Sequence, residues 1–135
     1  LQTYAASKGY TVLATINPGE GYWVNAKAPP IIGAQSGDSF MLTGMNLAKG
    51  WNLVATGNDI SPSEFNANLK SSAVPASLST LWAWDNPSSK WYFYAPSLET
   101  QGATALSDYI AGKGYLDFGS NGKKLGNGTG FWVNR

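Results

Sequence analysis

The densest apolar stretch of the chain lies between Thr80 and Pro96, where Leu81-Trp82-Ala83-Trp84 and Trp91-Tyr92-Phe93-Tyr94 flank the polar run Asp85-Asn86-Pro87-Ser88-Ser89-Lys90. Two short apolar runs around an Asn-Pro-Ser-Ser step predict a β-hairpin, because Asn and Pro suit the first two positions of a type I turn. In that register Asp85 faces Lys90, Trp84 faces Trp91 and Trp82 faces Phe93. The period of two places Trp82, Trp84, Trp91 and Phe93 on one face, and Leu81, Ala83, Tyr92 and Tyr94 on the other. Both faces are aromatic, so either the hairpin is buried twice or one face is a contact surface. Large indoles favour the interior, which makes the tryptophan face the expected core and the face of Tyr92 and Tyr94 the better candidate for exposure.

Other elements follow from the same patterning. Gly50-Trp51-Asn52-Leu53-Val54-Ala55 reads as a buried strand with Trp51, Leu53 and Ala55 on one face. Ser61-Pro62-Ser63-Glu64 is the clearest helix start, with Ser61 as N-cap, Pro62 at the first helical position and Glu64 closing a capping box. That helix should turn Phe65 and Leu69 inward and stop before Val74-Pro75. Ala28-Pro29-Pro30 reads as a linker, Ser39 to Thr43 as a candidate strand, and Leu98 to Gly102 as a loop.

The start of the chain returns near its end. Leu1-x-x-Tyr4-x-x-x-Lys8-Gly9-Tyr10 matches Leu106-x-x-Tyr109-x-x-x-Lys113-Gly114-Tyr115, and Gly19-Glu20-Gly21-Tyr22-Trp23-Val24-Asn25 matches Gly128-Thr129-Gly130-Phe131-Trp132-Val133-Asn134. Ordered matches rich in rare residue types indicate a duplicated unit: a short helix ended by a left-handed Gly, a strand, a turn and a closing strand. Only the second copy is preceded by a Gly-Trp-Asn-Leu strand, a capped helix and a tryptophan hairpin. Residues 1–30 are therefore expected to be the back half of a first repeat, 31–46 a linker and strand, and 47–135 a complete second repeat, together one compact unit; the alternative is a permuted arrangement in which the N-terminal segment completes the later unit within one fold. A chain that opens on Leu rather than Met reads as a processed piece or part of something longer.

Composition narrows the chemistry. The 135 residues contain neither cysteine nor histidine, which removes disulfides, thiolate nucleophiles, imidazole bases and the commonest zinc ligands. A net charge of +1 with 13% charged residues gives no electrostatic footprint for nucleic acid or an anionic membrane, and no apolar run is long enough to span a bilayer. The spacing of Glu20, Asp85, Glu99, Asp108 and Asp117 brings no two together as a glycosidase pair. The turns at Gly19-Glu20-Gly21 and Gly128-Thr129-Gly130 lack the helix and Lys-Ser/Thr of a phosphate loop. Asn58-Asp59 and Asp117 lie in no alternating acidic loop of the calcium-binding kind, and Lys8 and Lys113 suit the ends of helices. No catalytic residue, metal ligand or cofactor is expected.

What remains is aromatic. An indole or phenol ring offers a flat, rigid surface to the C–H face of a pyranose, and neighbouring Asn or Asp can meet its hydroxyls. Trp82, Trp84, Trp91, Tyr92 and Tyr94 with Asp85 and Asn86 are the candidate ligand-binding set.

Taken together, Gly50-Trp51-Asn52-Leu53-Val54, Leu81-Trp82-Ala83-Trp84 with Trp91-Tyr92-Phe93-Tyr94-Ala95-Pro96, Lys113-Gly114-Tyr115 and Gly130-Phe131-Trp132-Val133-Asn134 resemble a repeat found in tandem near the C-termini of large exported bacterial surface proteins. The resemblance covers nearly the whole chain. It implies a secreted or cell-surface location and modularity, and it implies no activity. The expectation is an α+β domain, predominantly antiparallel β-sheet and sandwich-like, with two or three short helices. Its function would be that of a non-catalytic adhesion or carbohydrate-binding module, with a glycan or neighbouring domains of the same chain as partners. The alternative is a structural spacer or assembly repeat with no small-molecule ligand.

Overall fold

In the computed structural model, which describes residues 1–28 and 40–135, five strands form one sheet in the order β1 (Trp51–Val54), β5 (Phe131–Asn134), β2 (Thr80–Asp85), β3 (Lys90–Tyr94) and β4 (Leu116–Asp117). Four short helices accompany it: α1 (Gln2–Ser7), α2 (Pro62–Ser71), α3 (Pro96–Glu99) and α4 (Ala105–Lys113). The fold is α+β, as expected. The sheet is mixed, because β4 runs parallel to β3 while the other neighbours are antiparallel. Among the described residues there is a single sheet covered by helices, which corrects the sandwich-like expectation.

The hairpin forms in the predicted register, with Asp85 opposite Lys90, Trp84 opposite Trp91 and Trp82 opposite Phe93. Its turn is closed by Ser89 N–H donating to Asn86 O at 3.3 Å, and Ser89 takes a left-handed φ of 52° to rejoin the strand. Asp85 is held by the turn, accepting from the backbone N–H and the hydroxyl of Ser88 at 3.1 and 2.5 Å. Those bonds lower the Asp85 carboxyl from its ordinary range, the hydroxyl bond contributing most.

The crossovers explain where the helices sit. Strands β1 and β2 are parallel to each other, with β5 between them, and α2 connects them; α3 and α4 connect the parallel pair β3 and β4. Because β2 and β3 are antiparallel, two connections of the same hand that advance in the same direction across the sheet leave from opposite faces. The packing agrees. Phe65 and Leu69 of α2 bury against Leu81, Ala83, Tyr92, Tyr94, Phe131 and Val133 on one face. On the other face Ile110 of α4 packs with Phe93 and Ala95 beside Trp82 and Tyr115. The expected capping box of α2 is present, Ser61 accepting from Glu64 N–H while the Glu64 carboxylate accepts from Ser61 N–H.

Loop ends are pinned by side chains. In the Gly-Trp-Asn-Leu segment Asn52 Nδ2 donates to Ala48 O and Gly50 O at 2.9 and 3.0 Å, and its Oδ1 accepts from Ala48 N–H at 2.8 Å. Arg135, in register with Gly50, sends Nη1 to Gly44 O and Leu47 O at 2.6 and 2.7 Å, fixing the 3-10 turn Gly44–Asn46 against the sheet end. Phe40 to Thr43 form no strand, Ser39 lies outside the described residues, and so does most of the proposed linker. Leu98 and Glu99 belong to α3, where Pro96 at the first position supplies a preset φ, so the loop expected from Leu98 begins later.

The main correction concerns which face is inside. Tyr92 and Tyr94 are buried under α2, whereas Trp82, Trp84, Trp91 and Trp132 are half-buried and Trp51 is 57% exposed. The strand β1 is accordingly buried through Val54, not through the Trp51 face. The cause is visible in β5, whose Phe131 and Val133 share a face and are fully buried, which leaves Trp132 and its neighbour Trp82 on the other side.

Two outcomes follow from this asymmetry. Phe131→Ala should lose about 3–5 kcal/mol in urea unfolding, because its ring packs at 5.2 Å from Phe65 with no solvent to fill the void, whereas Trp51→Ala should lose less than about 1 kcal/mol. Tyr94 donates its hydroxyl to the Glu99 carboxylate at 2.6 Å, and burial, reinforced by that bond, pushes its pKa above the ordinary 10.0. The folded state thus keeps a proton that the unfolded chain loses. The corresponding stability is complete below pH 10 and declines as the pH rises beyond it. Urea midpoints measured from about pH 9 to 11 should fall less steeply for Tyr94→Phe than for the wild-type chain.

Candidate functional site

All six tryptophans of the chain contribute to the sheet face opposite α2. Trp51 comes from β1, Trp132 from β5, Trp82 and Trp84 from β2, and Trp91 from β3, so the rings form a band running across the strands. Alternation does the placing: Trp132 is the cross-strand partner of Leu53 and Trp82, and Trp84 is the partner of Trp91. Trp23 arrives from outside the sheet, its ring edge-on to Trp91 with centroids 6.1 Å apart.

Within the band the rings interlock at steep angles. Trp51 and Trp132 meet at 85° and 6.4 Å, Trp82 and Trp91 at 87° and 6.3 Å, and Trp84 and Trp91 at 62° and 5.0 Å. Edge-to-face contacts of this kind are worth about 0.5–1.5 kcal/mol each beyond the area they bury. They fix the indoles in place before any ligand arrives, which reduces the ordering cost of binding. Tyr115, which follows the end of α4, closes one end of the band at 5.0 Å from Trp82.

Trp51, Trp82, Trp91 and Trp132 line an open groove of ≈ 440 Å³ whose walls are almost wholly apolar. No charged side chain lines it. Asp85 and Lys90 belong to the face that carries Ala83 and Tyr92, and the burial-raised pKa of Tyr92 is pushed further by the Asp85 charge on that side. The indole N–H of Trp82 is buried without an oxygen or nitrogen acceptor. Its neighbours are aromatic faces set at steep angles, which offer that N–H only the weak acceptor of a π cloud.

The arrangement suits recognition by shape and stacking. A neutral ligand with an apolar face can lie along the indoles while its outward polar groups stay in water, because the groove is open on one side. General acid–base work would need a titratable group in the groove, and none of its four lining residues titrates. No group of three or more acidic residues suited to a metal ion occurs among the described residues. No helix of the described residues is long and apolar enough to cross a membrane.

Of the candidate set read from sequence, Trp82, Trp84 and Trp91 sit together on this face. Tyr92 and Tyr94 are on the opposite, buried face, so the expectation that the tyrosines form the exposed platform is overturned. Asp85 and Asn86 occupy the hairpin turn, where Asp85 is engaged by Ser88. Trp51, read from sequence as part of a buried strand, lines the groove together with Trp132, and Trp23 borders it through Trp91. The signal that finds them is the alternation that puts Phe131 with Val133 and Leu81 with Ala83: when those positions take the core, the tryptophans that alternate with them must face away.

A second depression is polar, lined by Pro18, Gly19, Glu20, Phe40, Asn46 and Asn52 among others. There the Tyr22 hydroxyl donates to the Glu20 carboxylate, which also accepts from Asn17 Nδ2 at 3.1 Å. The Tyr22 bond chiefly lowers the Glu20 carboxyl and raises the Tyr22 phenol. One oxygen of the Glu20 carboxylate thus holds both Tyr22 and Asn17. No family model, no curated protein and no solved structure was found to match this chain.

Proposed function

We propose that this chain is a non-catalytic, extracellular accessory module that binds carbohydrate through its tryptophan face. The supporting observation is the contrast between the two sides of one sheet. One side is sealed by α2, while the other leaves a rigid, uncharged groove of four indoles half-open to solvent. Indoles bury large areas on contact and their exposure costs stability, so an uncovered band of them points to a surface that is covered in use. Among extracellular ligands, the C–H faces of pyranose polymers match an apolar groove without charges, and the absence of histidine, cysteine and a titratable lining fits a role without chemistry. The duplicated sequence blocks belong to the same reading: the module is one complete unit, residues 47–135, with the closing half of another ahead of it. A spacer or assembly role is favoured by the exposed apolar side chains of that leading half, and it is compatible with the groove because the two lie on different segments.

Binding is read most directly from the indoles themselves. Titration with soluble β-linked glucan and chitin oligosaccharides, and co-sedimentation with the insoluble polymers, should give saturable shifts in tryptophan emission. Trp51→Ala and Trp91→Ala should each weaken binding by roughly tenfold or more, while the buried-face change Tyr92→Phe leaves it unaltered. If no glycan shifts the emission, or if the two tryptophan variants bind as the wild type does, the carbohydrate reading is wrong.

A further inference from the structure

We infer that residues 1–28 are a docking segment. Their partner is a half-unit of the same construction as β1 to β3 of this chain, a Gly-Trp-Asn-Leu strand and a tryptophan hairpin with an empty slot between them, preceding Leu1 in the same polypeptide. The inference rests on the duplicated unit named above, and not on glycan binding.

The two copies match in local geometry. Gly9 and Gly114 end their helices at φ 72° and 71°, and Tyr10 N–H bonds Ala5 O at 2.9 Å as Tyr115 N–H bonds Ile110 O at 3.1 Å. Gly9 N–H and Gly114 N–H each return to the carbonyl three residues back, at 3.1 Å in both. Equal local geometry, however, leads to unequal burial. In the second copy Phe131 and Val133 fill the centre of the sheet with no exposed surface, and Tyr115 packs on Trp82. In the first copy Val24 is 69% exposed and Tyr10 71%, and Leu1, Tyr4, Leu13, Ile16 and Trp23 also face solvent.

The first copy is therefore built like a closing segment without a sheet to close. Its Gly19 and Gly21 hold only the outer edge of β1, through Ala55 N–H to Gly19 O at 2.9 Å and Gly21 N–H to Leu53 O at 3.1 Å, and Val24 and Asn25 lie in no strand. The chain itself displays the complementary surface. β5 occupies the slot between β1 and β2, hydrogen-bonded on both sides, with its alternate residues divided between the α2 core and the tryptophan face. Gly21 to Asn25 carries the same alternation, so an unfilled slot of that kind gives Tyr22 and Val24 the burial that Phe131 and Val133 have here. The source lies in the same polypeptide because, in the complete unit, only residues 95–104 separate the end of the hairpin from the start of α4. The half-unit and its closing segment are thus consecutive in the chain.

The test fuses a second copy of residues 40–104 ahead of Leu1 of the full chain and follows backbone hydrogen exchange. The expected result is that amides of Tyr22 to Asn25 exchange about 100-fold or more slowly than in the unfused chain, and that Val24→Asp in the fusion removes the slowing. Exchange at Tyr22 to Asn25 as fast in the fusion as without it overturns the inference. An independent measurement uses the unfused chain alone. Val24→Asp should leave its thermal midpoint unchanged, whereas Val133→Asp should unfold it. If Val24→Asp is as damaging as Val133→Asp, the segment is already satisfied within this chain and the inference fails.

Discussion

The structure depends on the insertion of its last strand. β5 lies between β1 and β2, two strands that otherwise would not touch, and it supplies both of their inner edges with hydrogen-bond partners. Two of its side chains, Phe131 and Val133, complete the core beneath α2, and a third, Trp132, joins the two ends of the tryptophan band. Unpaired strand edges are costly when buried and adhesive when exposed. The chain ahead of residue 131 is thus an open sheet with two unmatched edges facing one gap. Closure is long-range in sequence, since Trp51 pairs with Asn134, so the most central contacts are also those that wait for the whole chain.

The same insertion creates the asymmetry between the two faces. A sheet with helices on both faces has no surface to offer. Here α4 covers only the β3 side of the second face, where Ile110, Phe93 and Tyr115 gather beside Trp82 of β2, and it leaves β1 and β5 uncovered on that side. The band of indoles occupies the bare part. Edge-to-face packing among the rings recovers some of what exposure loses, and it holds the groove in one shape. An array that is partly self-satisfied and rigid is a better binding surface than scattered aromatics, because it loses less freedom on contact. The orphaned indole N–H of Trp82 marks the cost of this packing: rings chosen to fill the band leave a donor without an acceptor.

How much of this was legible in the sequence depends on whether a local signal decided the matter. The hairpin register was legible because Asn86-Pro87-Ser88-Ser89 fixes the turn, and the start of α2 because Ser61 and Glu64 satisfy each other within three residues. Which face of the hairpin is buried was not. Both faces are aromatic, and average burial of indoles argued for the wrong one. The decision is made at a distance, by Phe131 and Val133 arriving from far downstream to pair with Ala83 and Leu81, and by α2 settling on the Leu81–Ala83 side. The strand expected after the helix of each copy forms only in the second, as β4, and the matching segment of the first copy, residues 10–16, forms none; nor was its partner legible, because two residues, Leu116 and Asp117, carry no period and pair with β3 only because α4 returns the chain alongside it.

The two matching sequence blocks show the same principle from the other side. Gly21-Tyr22-Trp23-Val24-Asn25 and Gly130-Phe131-Trp132-Val133-Asn134 have nearly the same local preferences, and yet only one is a strand. Intrinsic β-propensity is the fit of a side chain to a pleated, half-buried surface, so a segment without such a surface has nothing to realise it with. The helix ends behave differently. Lys8-Gly9-Tyr10 and Lys113-Gly114-Tyr115 adopt one geometry whether buried or exposed, because a left-handed glycine and two backbone hydrogen bonds suffice to specify it. Structure written within a few residues forms without a sheet to pack on, and structure written across the sheet does not. The tryptophan groove belongs wholly to the second kind, since its four lining indoles come from four different strands.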